Sequence, residues 1–162
     1  MRDALVVNAS PLIFLGNAGR LDLLRVIGPS RVLVPQSVFD EVTKTEHADC
    51  AAGAVVKADW IERQESASLP NAVLEWDLGP GESDVIAACL RISGLVPVID
   101  DLAARKCALA LGLQPIGTLG VVVAAHRRGH LDDLRQTVLE LRTSGMWLSD
   151  DVIERVLRLA DL

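Results

Sequence analysis

Tyrosine is absent from this chain of 162 residues, and only two phenylalanines and three tryptophans supply aromatic bulk. A core so built has to be filled with Leu, Val, Ile and Ala, which suits helices laid on a parallel sheet. Cysteine is nearly as scarce. Cys50, Cys89 and Cys107 share no CxxC spacing, which excludes a disulfide framework or a zinc ribbon. All three read as reduced core residues, two of them inside apolar helical patterns. Basic residues are outnumbered, 16 against 22 acidic, for a formal charge of −6. That balance argues against a generally basic surface gripping nucleic acid through its phosphates, though not against a metal-bridged contact. No apolar run approaches the ~20 residues of a membrane span, and Met1-Arg2-Asp3 opens no signal peptide. A cytoplasmic protein is expected, and its length fits a single domain over residues 1–162.

What is present is an alternation of short apolar runs and helical patterns. Ala4–Val7 reads as a strand, with Ser10 as helix N-cap and Pro11 at the first helical position. Leu21, Leu23, Leu24 and Val26 suggest a second short helix, Arg31–Val34 a second strand. Pro35-Gln36-Ser37 opens a helix that turns Val38, Phe39 and Val42 inward. A further helix is expected to begin near His47 or Ala48, followed by a short strand at Trp60–Arg63 and a loop at Glu65–Asn71. Leu78-Gly79-Pro80-Gly81 is a strong turn, from which a helix begins at Glu82. Leu95–Ile99 is a strand despite Pro97, which predicts a local irregularity. Leu102–Leu111 is helical and Leu113–Ile116 a further short strand. Helices follow at Leu119–Ala125 and Leu131–Leu141, with a last one capped by Ser149. Strand and helix in alternation predict an α/β fold with a mainly parallel sheet and helices on both faces, and a helical C-terminal region from about residue 131.

The chemistry concentrates at strand ends and helix starts. Val98-Ile99 runs straight into Asp100 and Asp101, and in a parallel sheet the carboxyl ends of the strands form the rim where ligands bind. Asn8, Glu41, Glu82 and Asp84 stand in similar places. Carboxylates gathered within a few ångströms repel one another unless a cation neutralises them, and hard oxygen ligands suit Mg²⁺ or Mn²⁺. A plainer role stands beside each candidate. Glu82 and Asp84 also favour a helix dipole, Asp101 also reads as an N-cap, Glu41 as part of a solvated face and Asn8 as a turn residue.

Other constellations carry less. His126 and His130 have an i, i+4 spacing without the glutamate of HExxH or a third ligand. His126-Arg127-Arg128 reads as a solvated helix end, while Arg105 and Lys106, one turn after the acids, are within reach of a phosphate. Gly79-Pro80-Gly81-Glu82 lacks the lysine and hydroxyl residue of a P-loop, and Ser10 and Ser37 have no histidine at a recognisable spacing. Asn8-Ala9-Ser10 lacks the DxD of a phosphotransfer nucleophile.

Five segments, in order, carry a resemblance: Val6–Ile13, Val34–Val42, Leu78–Ala87, Val98–Lys106 and Gly117–Val121. Together they resemble the PIN-domain family, in particular a toxin-like branch similar to VapC ribonucleases. The resemblance implies a three-layer sandwich around a mainly parallel, five-stranded sheet and an acidic Mg²⁺ or Mn²⁺ pocket that cleaves RNA. Carried over, Glu41 matches the second family acid, Glu82 or Asp84 the third, and Asp100 with Asp101 the fourth and its neighbour. The first family acid falls on Asn8, which removes one negative charge from the pocket. Ser10, Arg105 and Thr118 are the candidate substrate contacts. A small antitoxin partner and a homodimer or higher homo-oligomer are implied as well. Two functions follow, a metal-dependent ribonuclease of the toxin-antitoxin type or a catalytically impaired PIN-like module that binds RNA or a protein.

Overall fold

The computed structural model describes residues 4–28, 31–44 and 49–161. The chain runs β1 (Ala4–Val7), α1 (Ala9–Asn17), α2 (Leu23–Ile27), β2 (Val32–Pro35), α3 (Gln36–Lys44), α4 (Asp49–Lys57) and β3 (Ile61–Gln64). It continues with α5 (Asn71–Leu74), α6 (Pro80–Arg91), β4 (Leu95–Val98), α7 (Leu102–Ala110), α8 (Thr118–Arg127), α9 (Leu134–Thr143) and α10 (Asp150–Ala160). Met1-Arg2-Asp3 and the helix start expected near His47 or Ala48 lie outside the described residues.

β1, β2 and β4 are buried at every position, as befits short Val- and Leu-rich strands covered on both faces. β3 mixes Ile61 with Glu62, Arg63 and Gln64 and takes an edge, where its charged side chains meet solvent. All pairings are parallel, in the order β3-β2-β1-β4. The chain therefore leaves β1 toward β2 and β3 and returns to place β4 on the other side of β1. Such a reversal opens a crevice beyond the carboxyl ends of the strands. Asn8 follows β1 at that rim, and Asp100 stands two residues past β4.

The sheet has four strands among the described residues, not the expected five. Residues 113–116 contribute a single bridge, Val98 to Ile116, and the reason is Pro97. The Ile116 amide donates to the Pro97 carbonyl (3.0 Å) and the Ile99 amide to the Ile116 carbonyl (2.8 Å), so residue 97 faces this segment. Extending the ladder backward would require an amide proton at position 97, which proline lacks. The irregularity expected at Pro97 thus falls on its neighbour, and β4 itself stays in register with β1.

Buried apolar side chains form one connected cluster from Ala4 to Ala160. α6 packs across β1, β2 and β4, whereas α8 gathers α2, α9 and α10. α1 and α4 approach so closely that a methyl on Gly16 would stand 2.8 Å from the Ala51 Cα, which leaves room only for glycine. With aromatics scarce, Phe39 is covered by the Arg63 guanidinium, 3.7 Å above its ring.

Several local expectations are corrected. α1 begins at Ala9 with Asn8, not Ser10, in the N-cap position, and the Asn8 side chain makes no capping bond. Arg127 and Arg128 are not merely a solvated helix end: they donate to the carbonyls of Leu159 and Ile27, tying α8 to α10 and to the end of α2. Cys50 is exposed, on the outer side of α4, and only Cys89 and Cys107 are buried. Burial pushes the Cys89 thiol up to about 12, so it is packing material and no nucleophile at neutral pH. Among the described residues no helix is long and apolar enough to cross a membrane.

Candidate functional site

Three of the expected residues meet at the start of α6. Gly79 and Pro80 set up the helix N-terminus and Glu82 lies in its first turn, where a carboxylate is favoured by the exposed amides. From there Glu82 Oε1 accepts a 3.1 Å hydrogen bond from Asn8 Nδ2. A carboxylate only accepts, so this contact fixes the amide orientation and turns Asn8 Oδ1 the other way. Asn8 is 1% exposed and its Oδ1 has no hydrogen-bond partner in the protein. A buried acceptor left so costs about 1–3 kcal/mol.

Gly81 explains what that oxygen faces. A methyl there would stand 3.1 Å from Asn8 Oδ1 and 3.3 Å from Glu41 Oε2. Gly81 therefore leaves a small space bordered by an amide oxygen and a carboxylate oxygen, with Glu82 on the far side of the amide. Glu41 sits at the more exposed edge of α3. Its carboxyl is held above its ordinary range by burial and then by the charge of Glu82, so Glu41 and Glu82 interact as like charges. A cavity of about 420 Å³ opens outward from this point, lined by Ser37, Asp40, Glu41, Lys44, Pro80 and Gly81.

The other expected residues are committed elsewhere. Asp100 Oδ1 accepts the Thr118 amide (2.7 Å) and Asp100 Oδ2 the Thr118 hydroxyl (2.6 Å). Thr118 is fully buried, with both donors spent on Asp100, which makes it a support for that carboxylate. Arg105 Nη1 donates to the Ile99 carbonyl (3.0 Å) and crowds Gly117, bracing the same corner. Asp101 is exposed and caps α7, its Oδ1 accepting the Ala104 amide at 2.8 Å. Asp84 Oδ2 takes two hydroxyls, Ser37 at 2.5 Å and Ser66 at 2.6 Å, and so latches the 65–70 segment and α3 onto α6. Ser10 is half-buried in the first turn of α1. The six oxygen-bearing candidates do not assemble into one cluster. Among the described residues no group of three or more His, Cys, Asp or Glu is placed to hold a metal ion.

A family model for the PIN domain matches residues 4–162. The chain belongs to the PIN-domain family. No curated protein matches the sequence. The PIN domain is a nuclease-type fold that fits RNA binding, and its members generally use divalent metal ions. In this PIN domain the residues that fit such an ion are Asn8, Glu41 and Glu82. They offer two carboxylates and an unpaired amide oxygen around Gly81, a hard donor set of the kind Mg²⁺ and Mn²⁺ take.

Sequence reasoning did not find Gly81 as the spacer of this site, nor Ser37 and Ser66 as partners of Asp84. Gly81 was visible only as a turn residue, and the two serines lie 47 and 18 residues from Asp84, with no local pattern to join them. A methyl at Gly81 tests the site directly. Gly81→Ala is expected to leave the circular dichroism spectrum unchanged while lowering Mn²⁺ affinity about tenfold, the scale on which misplaced ligand support weakens metal sites. Titration calorimetry gives the answer, and unchanged affinity would remove Gly81 from the site.

Proposed function

We propose that this PIN domain is a metal-dependent endoribonuclease of the toxin type, with Mg²⁺ or Mn²⁺ held by Asn8, Glu41 and Glu82. The observation that carries the reading is the unpaired, buried Asn8 Oδ1 beside two carboxylates. When bound, the ion activates water and neutralises phosphate oxygens. Asn8 holds Glu82 in place, and Glu41 supplies a carboxylate at the exposed edge where a strand can approach. Asp100 stands at the neighbouring strand end, fixed by Thr118, as a third carboxylate that supports this centre. Asp101, Asp84 and Arg105 then cap, latch and brace the elements around this centre, and Ser10, in the first turn of α1, is a substrate contact. The toxin reading carries with it a small antitoxin partner, homo-oligomer formation and a cytoplasmic setting.

The second reading, an impaired module that binds RNA or a protein, rests on Asn8 itself, because an amide where the family has an acid lowers the charge available to a cation. Mixed single-stranded RNAs incubated with purified protein separate the two. Under the first reading cleavage requires Mn²⁺ or Mg²⁺, stops in chelator and falls about 10–100-fold in Asp100→Asn, the loss expected when a residue supporting the centre is neutralised. Cleavage that persists in chelator would sink the metal mechanism, and no cleavage under any metal would leave the binding module.

A further inference from the structure

One of the few aromatic residues is spent on the surface. Trp147 is 90% exposed, the highest value among the large hydrophobic side chains described. The segment that carries it is not loose. The Met146 amide donates to the Leu141 carbonyl (3.0 Å) and the Ser144 hydroxyl to the Leu141 carbonyl (2.9 Å). Met146 packs against the core, Leu148 is buried, and the Ser149 hydroxyl caps α10 by accepting the Val152 amide. Inward residues on both sides hold the backbone, and Trp147 between them projects into solvent from a fixed base. Met146 also lines a cavity of about 450 Å³ together with Asp100, Arg105, Ile116, Gly117 and Gly120. That cavity places the Asp100 carboxylate and the Arg105 guanidinium beside Met146, the residue that precedes Trp147 in the chain.

We propose that Trp147 is a substrate-binding residue, a platform on which a base of single-stranded RNA stacks while the adjoining backbone crosses the Asp100–Arg105 cavity. The inference rests on the ribonuclease reading. The combination favours a nucleic acid over a protein partner. A π-face held in advance suits any base and is sequence-tolerant, and an arginine lining the cavity next along the chain suits a phosphate. In a chain of net charge −6, stacking offers grip that does not depend on phosphate neutralisation. Trp147 has no packing role that its removal would disturb.

Fluorescence anisotropy of labelled hexauridylate, hexaadenylate and an abasic strand of equal length tests it, on the full chain with Mg²⁺ in the cold, strand integrity being checked on a gel. Trp147→Ala is expected to weaken binding of both base-bearing strands about tenfold and Trp147→Phe to restore most of it, while all three proteins bind the abasic strand alike. If Trp147→Ala binds every strand as the parent does, the platform is overturned and the ribonuclease reading stands. Parent protein that binds no strand removes both. Sedimentation showing that Trp147→Ala converts a self-associated parent to monomer, with RNA binding unchanged, would assign the indole to a contact between copies instead.

Discussion

Asn8→Asp is expected to tighten Mg²⁺ or Mn²⁺ binding by about tenfold or more and, in the same protein, to lower the melting temperature measured in chelator. Both follow from one contact. The Asn8 amide donates to Glu82 Oε1 at 3.1 Å, so in the metal-free fold it joins a carboxylate that would otherwise face another oxygen. Aspartate removes the donor and sets acceptor against acceptor beside Glu41, whose carboxyl is already raised by burial and by Glu82. A lost buried partner costs about 1–3 kcal/mol, with like-charge repulsion added. With a divalent cation present the sign reverses, because the third negative charge faces the ion. Stabilisation by a bound ligand grows with its concentration over Kd, about 2.7 kcal/mol at a hundredfold excess. The melting curves of parent and variant should therefore cross as metal is added. Calorimetric titration with paired melts checks this, and equal affinity in the two proteins would mean that Asn8 does not touch the ion. A gain in cleavage by the variant would further identify the natural chain as one whose activity is held down at position 8.

The strand ends were legible because punctuation marks them. Asn8-Ala9-Ser10-Pro11, Pro35-Gln36-Ser37 and Asp100-Asp101 each stop an apolar run with residues that leave a strand and start a helix, and α1, α3 and α7 begin within a residue of these signals. Glu41 stood out as a carboxylate set between the inward-turned Phe39 and Val42. What was not legible is who pairs with whom. Asp100 and Asp101 are neighbours of the same chemistry, yet one is clasped by Thr118, 18 residues on, and the other caps its own helix. The N-cap role of Asp101 is local and can be read; the clasp depends on where the turn at Gly117 arrives. The lost fifth strand is similar. Pro97 was visible as an oddity, but only the direction in which residue 97 faces decides which ladder pays. Cys50 shows the limit of composition: an alanine-rich helix such as α4 gives little contrast between its buried and open sides, so a small apolar residue there carries no directional signal.

Glu41→Gln is expected to weaken divalent-ion binding about a hundredfold, as removal of a charged ligand oxygen should, and to change how stability depends on pH. The native fold holds the Glu41 proton to higher pH than its ordinary value, burial being the larger cause and the charge of Glu82 the smaller. In the window between the unfolded and folded values the native state binds more protons than the unfolded chain, so metal-free stability falls as pH rises through it. The contribution is fully present below the unfolded value and gone above the folded one. An ion needs the deprotonated carboxylate, so the stabilisation it confers must grow across the same window. Melts of the parent in chelator should therefore decline, and the metal-induced increment should rise, as pH moves up from the ordinary carboxylate range. In Glu41→Gln both slopes flatten together. A variant that loses the chelator slope but keeps the metal increment would show Glu41 titrating beside the site without holding the ion, leaving Asn8 and Glu82 to hold it alone.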